Sequence, residues 1–392
     1  MKSDAIDVAV VGGGLAGLAL AVGLRDSRLS VALIEGRAPT RPEGWDARVY
    51  AISPANARFL DRIGIWSHLD KARMQAVHQM AIHGDTDGQL NFSAYDSGVE
   101  ELAWIVEASL MQCELWESAK RQANLQLLCP ARPAVLNVNT EATRGGARLQ
   151  LQDGRQLTAK LVVAADGADS WTRQNAGIEV NFKPYGQHGV VANFNTEKPH
   201  RGIAFQWFRD DGILAWLPLP DNRISIVWST PQVHAAELLA LTPEEFAARV
   251  AEAGGHHLGA LSLITPPAGF PLRLMRAPRT VLPRFALIGD AAHAIHPLSG
   301  HGINLGFQDA AALADCLRLR PAHVDCGDFN LLRRFERARI EDVVALQTVT
   351  DSLQRLFGHT APPVSLLRNF GMNFTNRLPV VKDTLVRYAL AS

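Results

Sequence analysis

The sequence predicts an α/β protein: a parallel sheet wound with helices, an antiparallel sheet inserted into it, and a helical C-terminal region. Three observations predict it. "IDVAVVGGGLAGLALAVGLRDSRLSVALIEGR" sets a glycine-rich turn and a small-residue helix between two short apolar runs. Four β-like runs crowd between residues 190 and 228, separated by polar turns that contain Pro or Gly. From Ile303 onward, apolar residues recur mostly at helical spacing. Strand and helix periods in alternation mark a parallel sheet, whereas a block of strands alone marks an antiparallel one.

The elements follow in order. Residues 6–11 are a short buried strand, 15–26 a helix and 31–34 a second strand. Together they make a βαβ unit of about 30 residues. Helices are expected at 55–63 and 110–121. Strands are expected at 125–128, 148–151 and 156–158, with Asp153-Gly154 turning the last pair as a hairpin. Residues 161–164 are another buried strand. The inserted sheet takes 190–194, 203–208, 214–217 and 224–228. A helix then starts with Thr242 as cap, Pro243 at its first position and Glu245 three residues after the cap. "RFALIGD" returns to a buried strand, and 329–357 reads as one long helix. The expected division is discontinuous. Residues 1–75, 101–178 and 276–325 form one domain, 76–100 and 179–275 a second, and 326–392 the C-terminal helical region.

Bulk properties exclude several classes. The 392 residues carry 39 Lys and Arg against 39 Asp and Glu, so no basic surface for nucleic acid is expected. Cys113, Cys129, Cys316 and Cys326 form no C-x-x-C pair and read as reduced thiols, with no metal site. The N-terminal apolar stretch carries Asp7 and runs into glycines, so it is not expected to be a signal peptide. No apolar run reaches about 18 residues, so no spanning helix is expected and the chain is read as cytoplasmic.

Gly12-Gly13-Gly14-Leu15-Ala16-Gly17 fits G-x-G-x-x-G. Gly12 permits the tight turn, Gly14 lets the backbone approach a pyrophosphate, and Gly17 lets helix and strand pack closely. The helix start at Leu15 and Ala16 offers free N–H groups and a positive dipole to phosphate. Glu35 ends the second strand, beside Gly36, where a ribose hydroxyl needs an acceptor. These residues point to a dinucleotide. NAD and FAD both use such a site, and this loop alone does not choose between them.

Three later stretches bear on the choice: "DARVYAIS" with Arg48, "DGADSWTR" with Asp166, and "GDAAHAIHPLSGHGINLG" from Gly289 to Gly306. With the first loop they resemble the single-component FAD-dependent aromatic hydroxylases, the group A flavoprotein monooxygenases. "WIVEASLMQCELW", "LRRFERARIEDVVALQTVTDSLQRLF" and "RNFGMNFTNRLP" are similar to the ubiquinone-biosynthesis hydroxylase branch of that family. The resemblance covers nearly the whole chain. It implies a Rossmann-like FAD-binding domain of the p-hydroxybenzoate-hydroxylase type, with an inserted antiparallel-sheet substrate domain and a helical C-terminus.

It further implies FAD as cofactor and NAD(P)H and O₂ as co-substrates. The substrate would be a prenylated phenol, hydroxylated on its ring through a flavin C4a-hydroperoxide. Cofactor contacts carry over to Arg48, Asp166, Gly289, Asp290, Pro297, Gly300, Gly302, Ile303 and Asn304. Asp290 can accept from a polyol hydroxyl, and the backbone at Gly300 and Gly302 can lie against a flat ring. The helix begun near Ile303 would favour negative charge on the reduced ring. His296, Pro297 and His301 are candidates beside the reacting centre. Two positions depart from the family's usual residues: His301 replaces a Gln, and Ala108, after Glu107, replaces an Asn.

Trp207, Phe208 and Trp216 are read either as lining of the substrate cavity or as core. No catalytic base is identified. Residues 364–391 mix apolar and basic side chains, a composition suited to lying on an anionic bilayer as well as to packing on a core. Peripheral contact with the inner face of a membrane, a homo-oligomer and other ubiquinone-biosynthesis proteins are expected partners. The alternatives left open are a soluble aromatic-acid hydroxylase, a prenyl reductase on the same scaffold, and a flavin-binding assembly protein.

Overall fold

Three sheets organise the chain. A computed structural model of the protein describes residues 4–85, 88–138, 146–294 and 302–358. The first sheet is built on β1 (Asp4–Val11), which pairs in parallel with β2 (Val31–Ile34) on one side and β11 (Gln156–Ala164) on the other. It extends through β8 (Leu125–Leu128) beside β2, and β19 (Phe285–Leu287) beside β11. β10 (Ala147–Leu151) joins β11 antiparallel through the turn at Gly154, whose φ of 87° suits glycine.

Residues expected as two strands, 156–158 and 161–164, are one. Leu157 to Ala159 lie against β10 and Val162 to Ala164 against β19, while β1 runs beside both halves. Lys160 interrupts the apolar pattern between them because it reaches Asp7 at 2.7 Å.

Alternation along β1 divides the core. Val8 and Val10 pack beneath the helices α1 (Leu15–Gly23), α3 (Ala108–Lys120), α7 (Gly302–Arg318) and α8 (Phe329–Gly358). Ala9 and Val11 face the opposite side. In α1, nearly every residue is buried, which explains its run of Ala, Gly and Leu.

The large sheet centres on β12 (Lys183–Thr196), β15 (Arg223–Pro231), β14 (Gly212–Leu219) and β13 (Ile203–Arg209), all antiparallel neighbours. β5 (Gln79–His83) and β6 (Gln89–Ser93) extend one edge. β17 (Ala268–Arg276) extends the other and pairs with the two-residue β20 (His293–Ala294). β17 was not expected, because Pro271 and Gly269 argue against a strand. Pro271 is accommodated where the β12–β17 register shifts.

Two helices cover one face of this sheet, α5 (Gln232–Ala240) and α6 (Pro243–Ala253). α6 has the expected capping box between Thr242 and Glu245. α5 lacks a side-chain cap, so nothing local announces its start. A third sheet joins β3 (Val49–Ile52), β7 (Ala103–Glu107) and β4 (Gln75–Val77), and packs its Val49, Ile105 and Val77 on Ala204 and Leu219 of the large sheet.

The turn after β1 is closely packed. A methyl at Gly17 would lie 2.1 Å from the Gly12 carbonyl oxygen, and that oxygen cannot retreat without moving β1. Gly17→Ala is expected to cost about 1–3 kcal/mol of stability, the usual range for forced overpacking. A urea unfolding midpoint measures this, and an unchanged midpoint would contradict the close approach.

Candidate active site

Register brings the glycine loop and its partners together. Val11 pairs with Ile34 and Ala164, and Ala164 pairs with Leu287. The segments that follow these residues therefore emerge along one edge: Gly12, Glu35, Ala165-Asp166 and Gly289. This is the carboxyl edge of a parallel sheet, where strand order reverses on either side of β1.

Gly12 has φ of 109°, and a Cβ there would lie 2.4 Å from the Ala165 oxygen. At Gly14 a Cβ would meet nothing within 4 Å, and no side chain caps α1. The α1 N-terminus thus presents its dipole and N–H groups beside open space, as a pyrophosphate requires. Glu35 accepts from the Gly13 N–H at 2.5 Å and from the Arg37 N–H at 3.0 Å. A carboxylate has lone pairs to spare for a ribose hydroxyl beyond those two. Leu15 is buried in the core, while the Ala16 methyl packs against Gly289 and Gly306. The Arg132 side chain lies over Gly36. Gln112 of α3 donates to the Gly13 carbonyl at 2.8 Å, a tether that sequence reasoning missed.

Asp166 is held by its own neighbours. Its carboxylate is occupied by the Ser170 hydroxyl and by the Thr172 N–H and hydroxyl at 2.9 and 2.8 Å. It organises the start of α4 (Trp171–Asn175), and only its main chain lies beside Gly12. Arg173, fully buried in α4, donates to the Ala291 carbonyl at 2.9 Å and to the Ala168 carbonyl at 2.9 Å. The D-G-x-x-S-x-x-R stretch is thereby the brace between β11 and the turn that carries Asp290.

That turn, Gly289–Ala291, follows β19 directly. Gly289 has φ of 58°, in the left-handed region, and a Cβ there would press on Ala16 at 3.1 Å. The Asp290 side chain is exposed to solvent. Desolvation raises its carboxyl above the usual range, against the opposing charges of His293 and Arg48. Arg48 also hydrogen-bonds Tyr50, whose phenol burial pushes up. Tyr50 is a further member of the site within the quoted "RVYAIS". The Arg48 carbonyl accepts from Ala108 N–H at 2.9 Å, so main chain ties these segments where the usual Asn is missing.

Asn304 is 2 % exposed, and its amide is committed to protein. Its oxygen accepts from Ser53 N–H and Asn56 Nδ2, both at 3.0 Å, and its nitrogen donates to the Ala51 carbonyl at 2.7 Å. It locks the start of α7 onto β3 and α2 (Pro54–Arg62). Gly302 and Ile303 stand in the first turn of α7. His296, Pro297, Gly300 and His301 lie outside the described residues. No group of metal-ligating side chains occurs among the described residues.

The substrate-facing aromatics need correction. Trp207 and Trp216 lie on the face of the large sheet that packs on α5 and α6, with Phe205, Trp228 and Phe246. They are core. Phe208 has the opposite parity, shared with Ala204, which packs towards the small sheet. One residue of register separates the two faces.

A buried ion cluster lies under the Asp290 turn and was not foreseen. Asp309 of α7 accepts from Gly289 N–H at 3.0 Å, from His293 Nε2 at 2.6 Å and from Arg339 Nε at 2.9 Å. Burial opposes the charged form of His293, yet Asp309 beside it holds the imidazole above its usual pKa. Burial likewise opposes the Asp309 carboxylate, but His293 and Arg339 keep it below the usual range. The His293 contribution to stability is therefore full below the unfolded value, ~6.5, and is lost as pH rises through the higher folded value. His293→Asn should flatten the fall in melting temperature as pH rises above about 6.5. Parallel curves for variant and wild type would contradict the charged pair.

The comparisons agree with this geometry. The FAD binding domain family matches residues 5–325. Ubiquinone hydroxylase UbiL of Rhodospirillum rubrum is 35% identical over 389 residues, covering 98% of this chain and 90% of that one. The 3-demethoxyubiquinol 3-hydroxylase of Escherichia coli is 31% identical, with 100% of both chains covered. The mitochondrial ubiquinone biosynthesis monooxygenase COQ6 of Drosophila melanogaster is 32% identical over 99% of this chain and 90% of its own. PqsL of Pseudomonas aeruginosa, described as a probable FAD-dependent monooxygenase, shares the fold with a TM-score of 0.79 at 24% identity, covering 94% of this chain and 100% of that one. So does p-nitrophenol 4-monooxygenase of Pseudomonas putida, with a TM-score of 0.80 at 18% identity and 99% of each chain covered. FAD is the cofactor, and the open space at the Gly14 loop fits it. The chain belongs to the FAD-binding-domain family of flavoprotein monooxygenases, in the branch that holds the ubiquinone hydroxylases.

Proposed function

We propose that this protein hydroxylates the aromatic ring of a prenylated phenol in ubiquinone biosynthesis, using FAD, NAD(P)H and O₂. FAD, when bound, supplies the oxygen-activating redox chemistry. In this reading Gly12, Gly14, Gly17 and the α1 N-terminus hold the pyrophosphate, and Glu35 accepts from the ribose. Asp290 accepts from the ribitol, and Arg48 and Tyr50 border the ring. Asp166, Gly289 and Asn304 act by fixing the backbone around it.

The observation that supports the substrate assignment is the chemistry of the large sheet's face turned away from α5 and α6, most of whose residues are buried. Val191, Ala204, Phe208, Ala215, Leu217 and Val227 share that face, by their pairing and by the opposite burial of their neighbours. Between them stand the uncharged Asn193, Gln206, Ser225 and Ser229. A ring with a hydrocarbon tail gains apolar contact there, at roughly 0.8 kcal/mol per buried CH₂. The same face keeps water from the reacting centre.

A prenylated substrate is carried in a bilayer, so we place the protein at a membrane surface. No helix among the described residues is long and apolar enough to cross one. The basic and apolar segment 364–391, proposed for that contact, lies outside the described residues.

The test compares NAD(P)H-dependent hydroxylation of a prenylated phenol in liposomes with that of 4-hydroxybenzoate in solution. The prenylated ring should be hydroxylated with one NAD(P)H consumed per product, and the acid hardly at all. Equal turnover of the acid without peroxide release would overturn the ubiquinone-pathway assignment in favour of a soluble aromatic-acid hydroxylase.

A further inference from the structure

The cluster beneath the Asp290 turn reaches it from a helix that has no part in the glycine loops. Arg339 sits on α8, with its side chain 10 % exposed, and Asp309 is 3 % exposed. The guanidinium forks: Nε to Asp309 at 2.9 Å, one terminal nitrogen to Gln308 Oε1 at 2.8 Å, the other to Asp342 at 2.8 Å. Asp309 in turn receives the Gly289 N–H, immediately before Asp290. A carboxylate this deep keeps its geometry only while its donors stay in place.

A separate contact from α8 supports the other end of the same segment. Gln347, two turns beyond Arg339, donates to the Met275 carbonyl at 3.1 Å. Met275 pairs with Ala294, and Arg276 with His293, in the β17–β20 ladder. α8 therefore grips the segment from 289 to 294 at both ends. His293 within it faces Asp309 of α7, Asp290 of its own turn and Arg339 of α8.

We propose that Arg339 is a positioning residue for the flavin: acting from α8 through Asp309, it sets the Gly289-Asp290 turn and makes FAD retention conditional on the docking of α8. The inference rests on FAD binding alone and is independent of which phenol is hydroxylated. Removing the guanidinium leaves Asp309 with His293 as its only charged donor among the described residues. The Gly289 N–H then loses its fixed acceptor, and Asp290 its fixed direction.

The experiment titrates FAD into apoprotein by flavin fluorescence for the wild type, Arg339→Met, Arg339→Lys and Asp342→Asn. Circular dichroism and a urea midpoint are recorded on each apoprotein. Arg339→Met should bind FAD roughly tenfold more weakly, within the usual range of coupling between distant groups, while its apoprotein stays folded. The visible spectrum of the flavin it still holds should shift. Asp342→Asn, which removes only the exposed partner, should bind like the wild type. Arg339→Lys keeps the charge and loses the fork, and should weaken FAD by about threefold. It decides the matter if Arg339→Met fails to fold. Wild-type affinity and spectrum in folded Arg339→Met, or wild-type affinity in Arg339→Lys, would overturn the proposal. So would an equal loss in Asp342→Asn, and failure of the wild-type apoprotein to take up FAD would remove its premise.

Discussion

Val11 pairs with Ile34 on one side and with Ala164 on the other, and Ala164 pairs with Leu287. Parallel strands in this register stop together, and the four segments that leave them open onto one edge. Gly12, Glu35, Asp166 and Gly289 thus become neighbours although more than half the chain separates the first from the last. The edge is shaped by what is missing. No side chain at Gly12 or Gly17 keeps the loop from closing on Ala165 and on itself, and none at Gly14 fills the space in front of the α1 N-terminus. The dipole, the N–H groups and the acceptor at Glu35 all depend on that alignment.

Buried polar tethers then fix what stands around the edge. Asn304 joins α7 to Ala51, Ser53 and Asn56. Glu107, 1 % exposed at its side chain, receives Arg73 and the Asp46 N–H, each at 2.6 Å. Asp46 accepts from the N–H groups of Arg48 and Ser109, while Asn193 of the large sheet donates to its carbonyl. Arg48 is therefore placed by a network that spans two sheets. Such groups gain little over their hydration in the unfolded chain but cost heavily when one partner is removed. They stabilise modestly and specify position strongly, which is what a cleft built to hold a cofactor requires.

The parts of this arrangement that were legible in the sequence are those with local causes. The βαβ unit, Glu35, the Asp153-Gly154 hairpin and the Thr242 capping box depend on residues a few positions apart. Arg48 and Asp290 were legible by resemblance. What escaped depends on partners distant in the chain. Nothing local says that Asp309 will meet both Gly289 and Arg339, or that Gln112 will reach Gly13. Trp207 and Phe208 are adjacent and both aromatic, and only the register of β13 with β14 decides which face of the sheet each one takes. Asp166 was named by resemblance, and only the structure shows that its carboxylate braces α4.

The central claim is that FAD lies against the backbone at Gly14, in space that the fold leaves open. Gly14 has φ of -72° and extended ψ, so any residue adopts its conformation, and a Cβ there meets nothing within 4 Å. The decisive measurement is an FAD titration of apo Gly14→Val beside the wild type, with a urea midpoint for each. The account predicts an apoprotein of wild-type stability that no longer retains FAD. A Gly14→Val protein that binds FAD as tightly as the wild type would contradict it.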